Sequence, residues 1–137
     1  MTMQKSVKQL VDEAEAEIKT LSPLEAVALS GDPDVVIVDL RDIRERVKEG
    51  FIAGSMHAPR GMLEFWVDPE SPYHRKEFGS GKQFVFYCAM GWRSALATKA
   101  VQDMGMQRVC HIGKGFKGWV EAGGAVVKTE DGKEPKG

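Results

Sequence analysis

The chain has 137 residues, enough to bury the core of one domain and too few for two. A formal net charge of -1 gives no reason to expect nucleic acid or an acidic membrane as partner, and no apolar run approaches the length of a membrane span. Two cysteines without a Cys-x-x-Cys pair and three scattered histidines argue against a disulfide framework and a structural zinc site; with a charged start at Met1 to Ser6, they predict a cytoplasmic protein without metal.

Val7, Leu10, Val11, Ala14, Ile18 and Leu21 recur at helical spacing, with Asp12, Glu13, Glu15 and Glu17 on the other side. Residues 1–20 are therefore expected to hold an amphipathic helix packed on a domain spanning 21–127. A partner-binding face, as in a homodimer, is the alternative use of that helix. Ser22-Pro23-Leu24-Glu25 combines a serine N-cap, a first-turn proline and a glutamate placed for a capping box, so a second helix starts there and ends at Gly31.

Asp32-Pro33-Asp34 turns the chain into Val35 to Val38, which is apolar on both faces and reads as a strand buried in a parallel sheet. Asp39 and Arg41 follow at its carboxyl end, the edge where open α/β sheets place their sites. An ordinary helix cap and a surface arginine are the competing reading. Asp42 to Lys48 predicts a short charged helix ended by Gly50, and Gly54 to Pro59 a short strand. Gly61 to Val67 reads as helical, carrying Phe65 and Trp66 inward. Asp68 to Lys82, with two prolines and two glycines, is a long irregular connection; Trp66, Tyr73 and His74 either pin it to the core or roof a pocket, and pinning is favoured.

Phe84-Val85-Phe86-Tyr87 is the strongest strand signal, and Ser94 to Val101 has good helix formers with apolar positions at helical spacing. Cys88 falls between them, at a strand's carboxyl end facing a helix start. Unpaired backbone N–H groups converge there, Arg93 adds a positive charge, and both favour a thiolate, the nucleophilic form of cysteine. Gly91 permits turn angles that let amides line the loop. Asp103-Met104-Gly105 stops the helix, and Met106 to Ile112 gives a last parallel strand in which Cys110 is a small buried hydrophobe. His57, His74 and His111 each read as packing or surface residues. Residues 128–137, charged and rich in glycine and proline, are expected to be a disordered tail.

Three ordered motifs, Val35 to Asp42, Cys88 to Arg93 and Gly115-Phe116-Lys117-Gly118-Trp119, resemble those of the rhodanese-like sulfurtransferases. His57-Ala58-Pro59-Arg60-Gly61 and Trp66 to His74 look like the bacterial single-domain members. The resemblance implies an α/β three-layer fold with a central, mainly parallel sheet and helices on both faces. It departs from the family at Gly50-Phe51-Ile52, where Gly-His-Ile is usual, and at Lys114, which replaces a glycine and is expected to need unusual backbone angles.

The resemblance further implies that Cys88 is the nucleophile and that Ala89, Met90, Gly91, Trp92, Arg93 and Ser94 form the substrate-binding loop, with Asp39 and Arg41 bracing it. Related phosphatase loops hold five residues between cysteine and arginine; the four here suit a sulfur atom better. The implied reaction moves a sulfane sulfur from a small donor such as thiosulfate to cyanide or a thiol, through a Cys88 persulfide and without cofactor. A persulfide carrier, or a regulatory or binding module, is the alternative. Arg93 would orient the anion. Ser94 would donate its hydroxyl to Cys88 or only satisfy a backbone group. Trp92 stands where thiosulfate-preferring members often carry a basic residue, and Arg60 could supply the missing charge. A cup of this kind works only if the Cys88 sulfur meets solvent.

Overall fold

The architecture, a computed structural model describing residues 1–135, is built on five strands that pair only in parallel. They are β1 (Thr20–Leu21), β2 (Val35–Asp39), β4 (Met56–His57), β5 (Gln83–Tyr87) and β6 (Val109–Ile112), in spatial order β1-β6-β5-β2-β4. A separate antiparallel pair joins β3 (Phe51–Ile52) to β7 (Val126–Val127). Parallel pairing requires crossovers, and helices supply most of them: α2 (Pro23–Val27), α3 (Ile43–Glu49), α4 (Leu63–Val67), α5 (Trp92–Asp103) and α6 (Gly115–Glu121). The mixed α/β, mainly parallel architecture is the one the sequence predicts.

Strand residues alternate between two cores, as a period of two demands. Val85, Tyr87, Cys110 and Ile112 face the side of Ala26, Phe116 and Trp119, on α2 and α6. Phe84, Phe86 and Val109 face the opposite side, with Leu63, Ala97 and Val101 of α4 and α5. Ahead of the sheet, α1 (Val7–Glu17) lies on α5, burying Val11 and Ala14 against Ala95. Capping boxes at Ser6, Ser22 and Asp42 start α1, α2 and α3, so the serine and glutamate signals at Ser22 and Glu25 were read correctly.

Several side chains differ from expectation. Val7 and Leu10 are exposed, because α1 is only three turns long and rests on one helix; its buried stripe narrows to Val11 and Ala14. Phe65 is also exposed, meeting Tyr73 edge to face, while Leu63 is the buried anchor of α4. Trp66 packs inward and is covered by the guanidinium of Arg75 at 4.0 Å. The loop that follows is pinned: Arg75 N–H donates to Trp66 O at 2.9 Å, and His74 Nδ1 lies 3.0 Å from the same carbonyl. His74 lines a cavity with Met104 and Met106, past the end of α5, whose 12 residues span about 18 Å from the Cys88 loop. That distance excludes a roof over Cys88.

The tail expected to be disordered returns to the domain over its first part. The Gly132 carbonyl accepts a 2.7 Å hydrogen bond from Arg46 Nε, and Glu134 Oε1 accepts from Gly54 N–H at 3.1 Å. A buried guanidinium needs acceptors, and this segment supplies one that composition does not reveal. Residues 136–137 of that prediction lie outside the described residues.

Candidate active site

Tyr87 ends β5, and the chain turns through Cys88, Ala89, Met90 and Gly91 into α5. Gly91 has φ +110°, a left-handed conformation that a Cβ disfavours, and this points its N–H at Cys88 Sγ, 3.1 Å away. The Ser94 N–H reaches the same sulfur at 3.4 Å, and the Ser94 hydroxyl lies 3.5 Å from it. The sequence thus produces a sulfur ringed by donors at the start of a helix. Donors of this kind favour the anionic form of whatever atom sits there.

The outer wall is α6. Lys114 carries the left-handed backbone expected of it, φ +64°, the one non-glycine residue with positive φ among those described. Gly115 follows at φ +53°, where a Cβ would collide with the Cys88 carbonyl. This close approach lets Phe116 N–H donate to Cys88 O at 2.8 Å and Lys117 N–H to Ala89 O at 3.3 Å. The loop carbonyls are therefore turned outward and occupied, leaving the inward amides for the sulfur.

On the β2 side the floor is ionic. Asp39, fully buried, accepts from Arg41 Nη2 at 2.8 Å, Arg46 Nη1 at 3.0 Å and the Tyr87 hydroxyl at 2.8 Å. Burial alone would raise this carboxyl, but hydrogen bonds and charge from Arg41 outweigh it and hold it below the ordinary range. Arg41 also donates to Gly50 O at 2.7 Å and stacks over Phe116, 4.4 Å from the ring centre. Burial raises the Tyr87 phenol, with the Asp39 charge acting in the same direction, so Tyr87 stays a neutral donor. The network ties β2, β5, α3 and α6 together beneath the loop. Asp39 and Arg41 are neither a bare cap nor a surface arginine; Arg46, the third member, escaped sequence reasoning because a cation in an exposed-looking helix carries no mark of burial.

On the β6 side the surroundings are neutral. The Ser94 hydroxyl lies 2.9 Å from His111 Nδ1, and His111 Nε2 lies 3.0 Å from Thr20 Oγ1. His111 is 1% exposed, and burial lowers its pKa to about 4. Sequence reasoning treated it as packing. Its position inside an apolar, doubly covered strand was the usable signal, since a buried imidazole there must find partners.

Arg93 forms a bidentate pair with Glu45 of α3, at 2.8 and 3.0 Å, at the partly exposed rim. The pairing holds the Glu45 carboxyl below its ordinary range and commits the arginine's fork before any anion arrives. Arg60 is likewise paired, with Glu64 at 2.7 Å, and no contact joins it to the loop. Met90 and Trp92 stand exposed on the rim. A mostly apolar groove of about 480 Å³ runs from Ala89 and Met90 to Phe116 and Val120, flanked by Glu49, Lys117 and Glu121.

Cys88 itself is 1% exposed, which departs from the open cup expected. The hydrogen bond from Gly91 draws the sulfur to the floor of the loop instead of its mouth. A reagent must bring its electrophilic atom down to that floor end-on. Among the described residues no group of three or more His, Cys, Asp or Glu could hold a metal ion, and no helix is long and apolar enough to cross a membrane.

Residues 22–122 match the rhodanese-like domain. The chain is 27% identical over 101 residues to a mouse protein named thiosulfate sulfurtransferase/rhodanese-like domain-containing protein 3, covering 70% of this chain and 64% of that protein's length. A solved protein of unknown function from Rhodopseudomonas palustris, described as a possible tyrosine phosphatase, is 52% identical with a TM-score of 0.90, over 93% of this chain and 98% of that one. The polysulfide-sulfur transferase homodimer of Wolinella succinogenes aligns at 28% identity and TM-score 0.67, over 89% of this chain and 87% of that one. With the match extending from the cap of α2 to the end of α6, and so enclosing both the ionic floor and the Cys88 loop, the chain belongs to the rhodanese-like domain family.

Proposed function

We propose that the chain is a sulfurtransferase in which Cys88 carries the sulfur. The Cys88 thiolate attacks the outer sulfur of a donor such as thiosulfate; a new S–S bond forms, and the donor's own bond breaks with its electron pair leaving on sulfite. A thiophilic acceptor, cyanide or a thiol, then attacks the outer sulfur of the persulfide and returns Cys88 to thiolate. The observation that carries this reading is the pair of backbone donors on Sγ, Gly91 N–H at 3.1 Å and Ser94 N–H at 3.4 Å, in a loop closed by α6. A persulfide extends the side chain by about 2 Å, which lifts the reactive atom from the buried floor toward the rim. The mouse and Wolinella relatives named for sulfur transfer support the same chemistry.

Phosphate-ester hydrolysis is the second reading, favoured by the description of the Rhodopseudomonas protein as a possible tyrosine phosphatase. Against it, a phosphoryl dianion calls for a free guanidinium, whereas Arg93 is held by Glu45. The floor position of Sγ also suits a terminal sulfur better than a crowded tetrahedral centre. Parallel assays decide between them: thiosulfate or polysulfide with cyanide against an aryl phosphate, in wild type and Cys88→Ala. Cyanide-dependent thiocyanate formation that disappears in Cys88→Ala supports sulfur transfer. Hydrolysis of the phosphate without thiocyanate overturns it. Loading without turnover would make the protein a persulfide carrier.

A further inference from the structure

A nucleophile buried on the floor of its loop needs a route for its proton. Three neutral side chains run from Cys88 in one direction: Sγ to Ser94 Oγ at 3.5 Å, Ser94 Oγ to His111 Nδ1 at 2.9 Å, and His111 Nε2 to Thr20 Oγ1 at 3.0 Å. Cys88, Ser94 and His111 are all buried, and Thr20 is an exposed residue of the edge strand β1. Two alternations place the chain. His111 falls on the α5 side of β6, opposite Cys110, and Ser94 falls on the sheet-facing side of α5. The bond partners come from four separate elements, β1, β6, α5 and the loop, so this is a long-range construction and not a local turn.

We propose that His111 is a positioning residue that conducts the Cys88 proton to Thr20 by exchanging its two neutral tautomers. This rests on Cys88 being the nucleophile, and it adds the buried relay to that reading. In the thiol state, S–H donates to Ser94 Oγ, Ser94 O–H donates to Nδ1, and the ring carries its proton on Nε2 toward Thr20. On ionisation the S–H bond breaks as an O–H bond forms at Ser94. The former Ser94 proton passes to Nδ1, the Nε2 proton to Thr20 Oγ1, and the threonine's own proton to water. One proton has left the protein, each hydroxyl keeps one hydrogen, and His111 is neutral before and after.

The product arrangement is the one a thiolate requires. With a proton on Nδ1, His111 donates to Ser94 Oγ, which frees the Ser94 O–H to turn onto the anionic sulfur beside the Gly91 and Ser94 N–H groups. The competing acceptor for that hydroxyl is Gly91 O at 3.3 Å, a longer contact. An imidazole whose burial holds it at about 4 does not retain the proton it passes, and burial is the sole cause of that shift. The charged groups around the relay are already committed. Arg93 is paired with Glu45, Asp39 with Arg41 and Arg46, and Lys19 meets His111 through its backbone carbonyl, 3.2 Å from the His111 N–H.

The test reads the ring directly. In isotope-labelled full-length protein, the ring-nitrogen chemical shifts of His111, assigned by their loss in His111→Asn, are followed across the ionisation of Cys88, which is itself tracked by its Cβ shift. The expected result is a change from the Nε2–H to the Nδ1–H tautomer in step with Cys88, kept in Ser94→Thr and lost in Ser94→Ala. The same tautomer at both ends of the wild-type titration, or a cationic ring at neutral pH, overturns the proposal; this holds on the wild-type data alone should Ser94→Ala fail to fold. No sulfur donor is involved, so the relay can fail while sulfur loading of Cys88 succeeds, and the reverse.

Discussion

Cys88 and Cys110 are nearly equally buried, at 1% and 0% exposed, yet their surroundings differ in kind. Cys110 sits inside β6, where its backbone groups are used by neighbouring strands and its sulfur faces the α2 and α6 core; its nearest polar neighbours are Gln83 Nε2 at 3.6 Å and the Phe84 carbonyl at 3.7 Å. Burial pushes that thiol up. Cys88 sits one residue beyond the end of β5, where the sheet stops pairing and a helix begins, so two N–H groups and a hydroxyl turn to its sulfur. Burial by itself therefore decides nothing about a cysteine. What matters is whether the backbone around it has spare donors, and strand interiors have none to spare.

Exchanging the two cysteines for alanine is the sharpest way to break this comparison. Cys88→Ala is expected to abolish both sulfur loading and transfer, measured by intact mass and by thiocyanate formation. Cys110→Ala is expected to keep both and to lose about 1–2 kcal/mol of stability in a denaturant titration. Equal losses of activity in the two variants would erase the distinction.

The next effect concerns the strand that Cys110 shares with His111. Burial places the His111 pKa at about 4 in the folded protein, below its ordinary value of 6.5, so the unfolded chain binds the extra proton first. Stability is then fully present above pH 6.5 and is lost as pH falls toward 4, by about 3 kcal/mol. His111→Asn should flatten that window. The Asp39 carboxylate is held low in the fold, so its contribution disappears at still lower pH and stays in the variant.

Two smaller effects sharpen the contrast further. In the native protein, a small alkylating agent is expected to modify Cys88 and leave Cys110 untouched, with both modified after unfolding. Ser94→Ala should slow the Cys88 reaction by about tenfold at neutral pH, since one charge-directed hydrogen bond amounts to about 1.4 kcal/mol or more. Trimming the rim with Trp92→Ala should change little for a small reagent and hasten a bulky one severalfold, because only the latter has to pass the exposed indole.

Much of the architecture was legible in the residues. Runs such as Val35 to Val38 and Phe84 to Tyr87 state burial on both faces, Ser22 with Glu25 states a helix start, and Cys88 to Arg93 states a loop between strand and helix. Lys114 was marked by the glycine it replaces, and its left-handed backbone follows. What stayed hidden depends on partners distant in sequence. Glu45 lies 48 residues from Arg93 and takes its fork; Arg46 lies 86 residues from the Gly132 carbonyl that holds the tail; Thr20 lies 91 residues from His111. A sequence shows which side chains need a partner, but the fold decides which partner each one meets.

The account turns on Cys88 accepting one sulfur atom, and intact mass measures this directly. After incubation with thiosulfate or polysulfide and removal of excess, the protein is expected to gain the mass of a single sulfur, mapped by digestion to the peptide containing Cys88 and removed by cyanide. A protein that keeps its original mass, or carries the sulfur on Cys110, would contradict it.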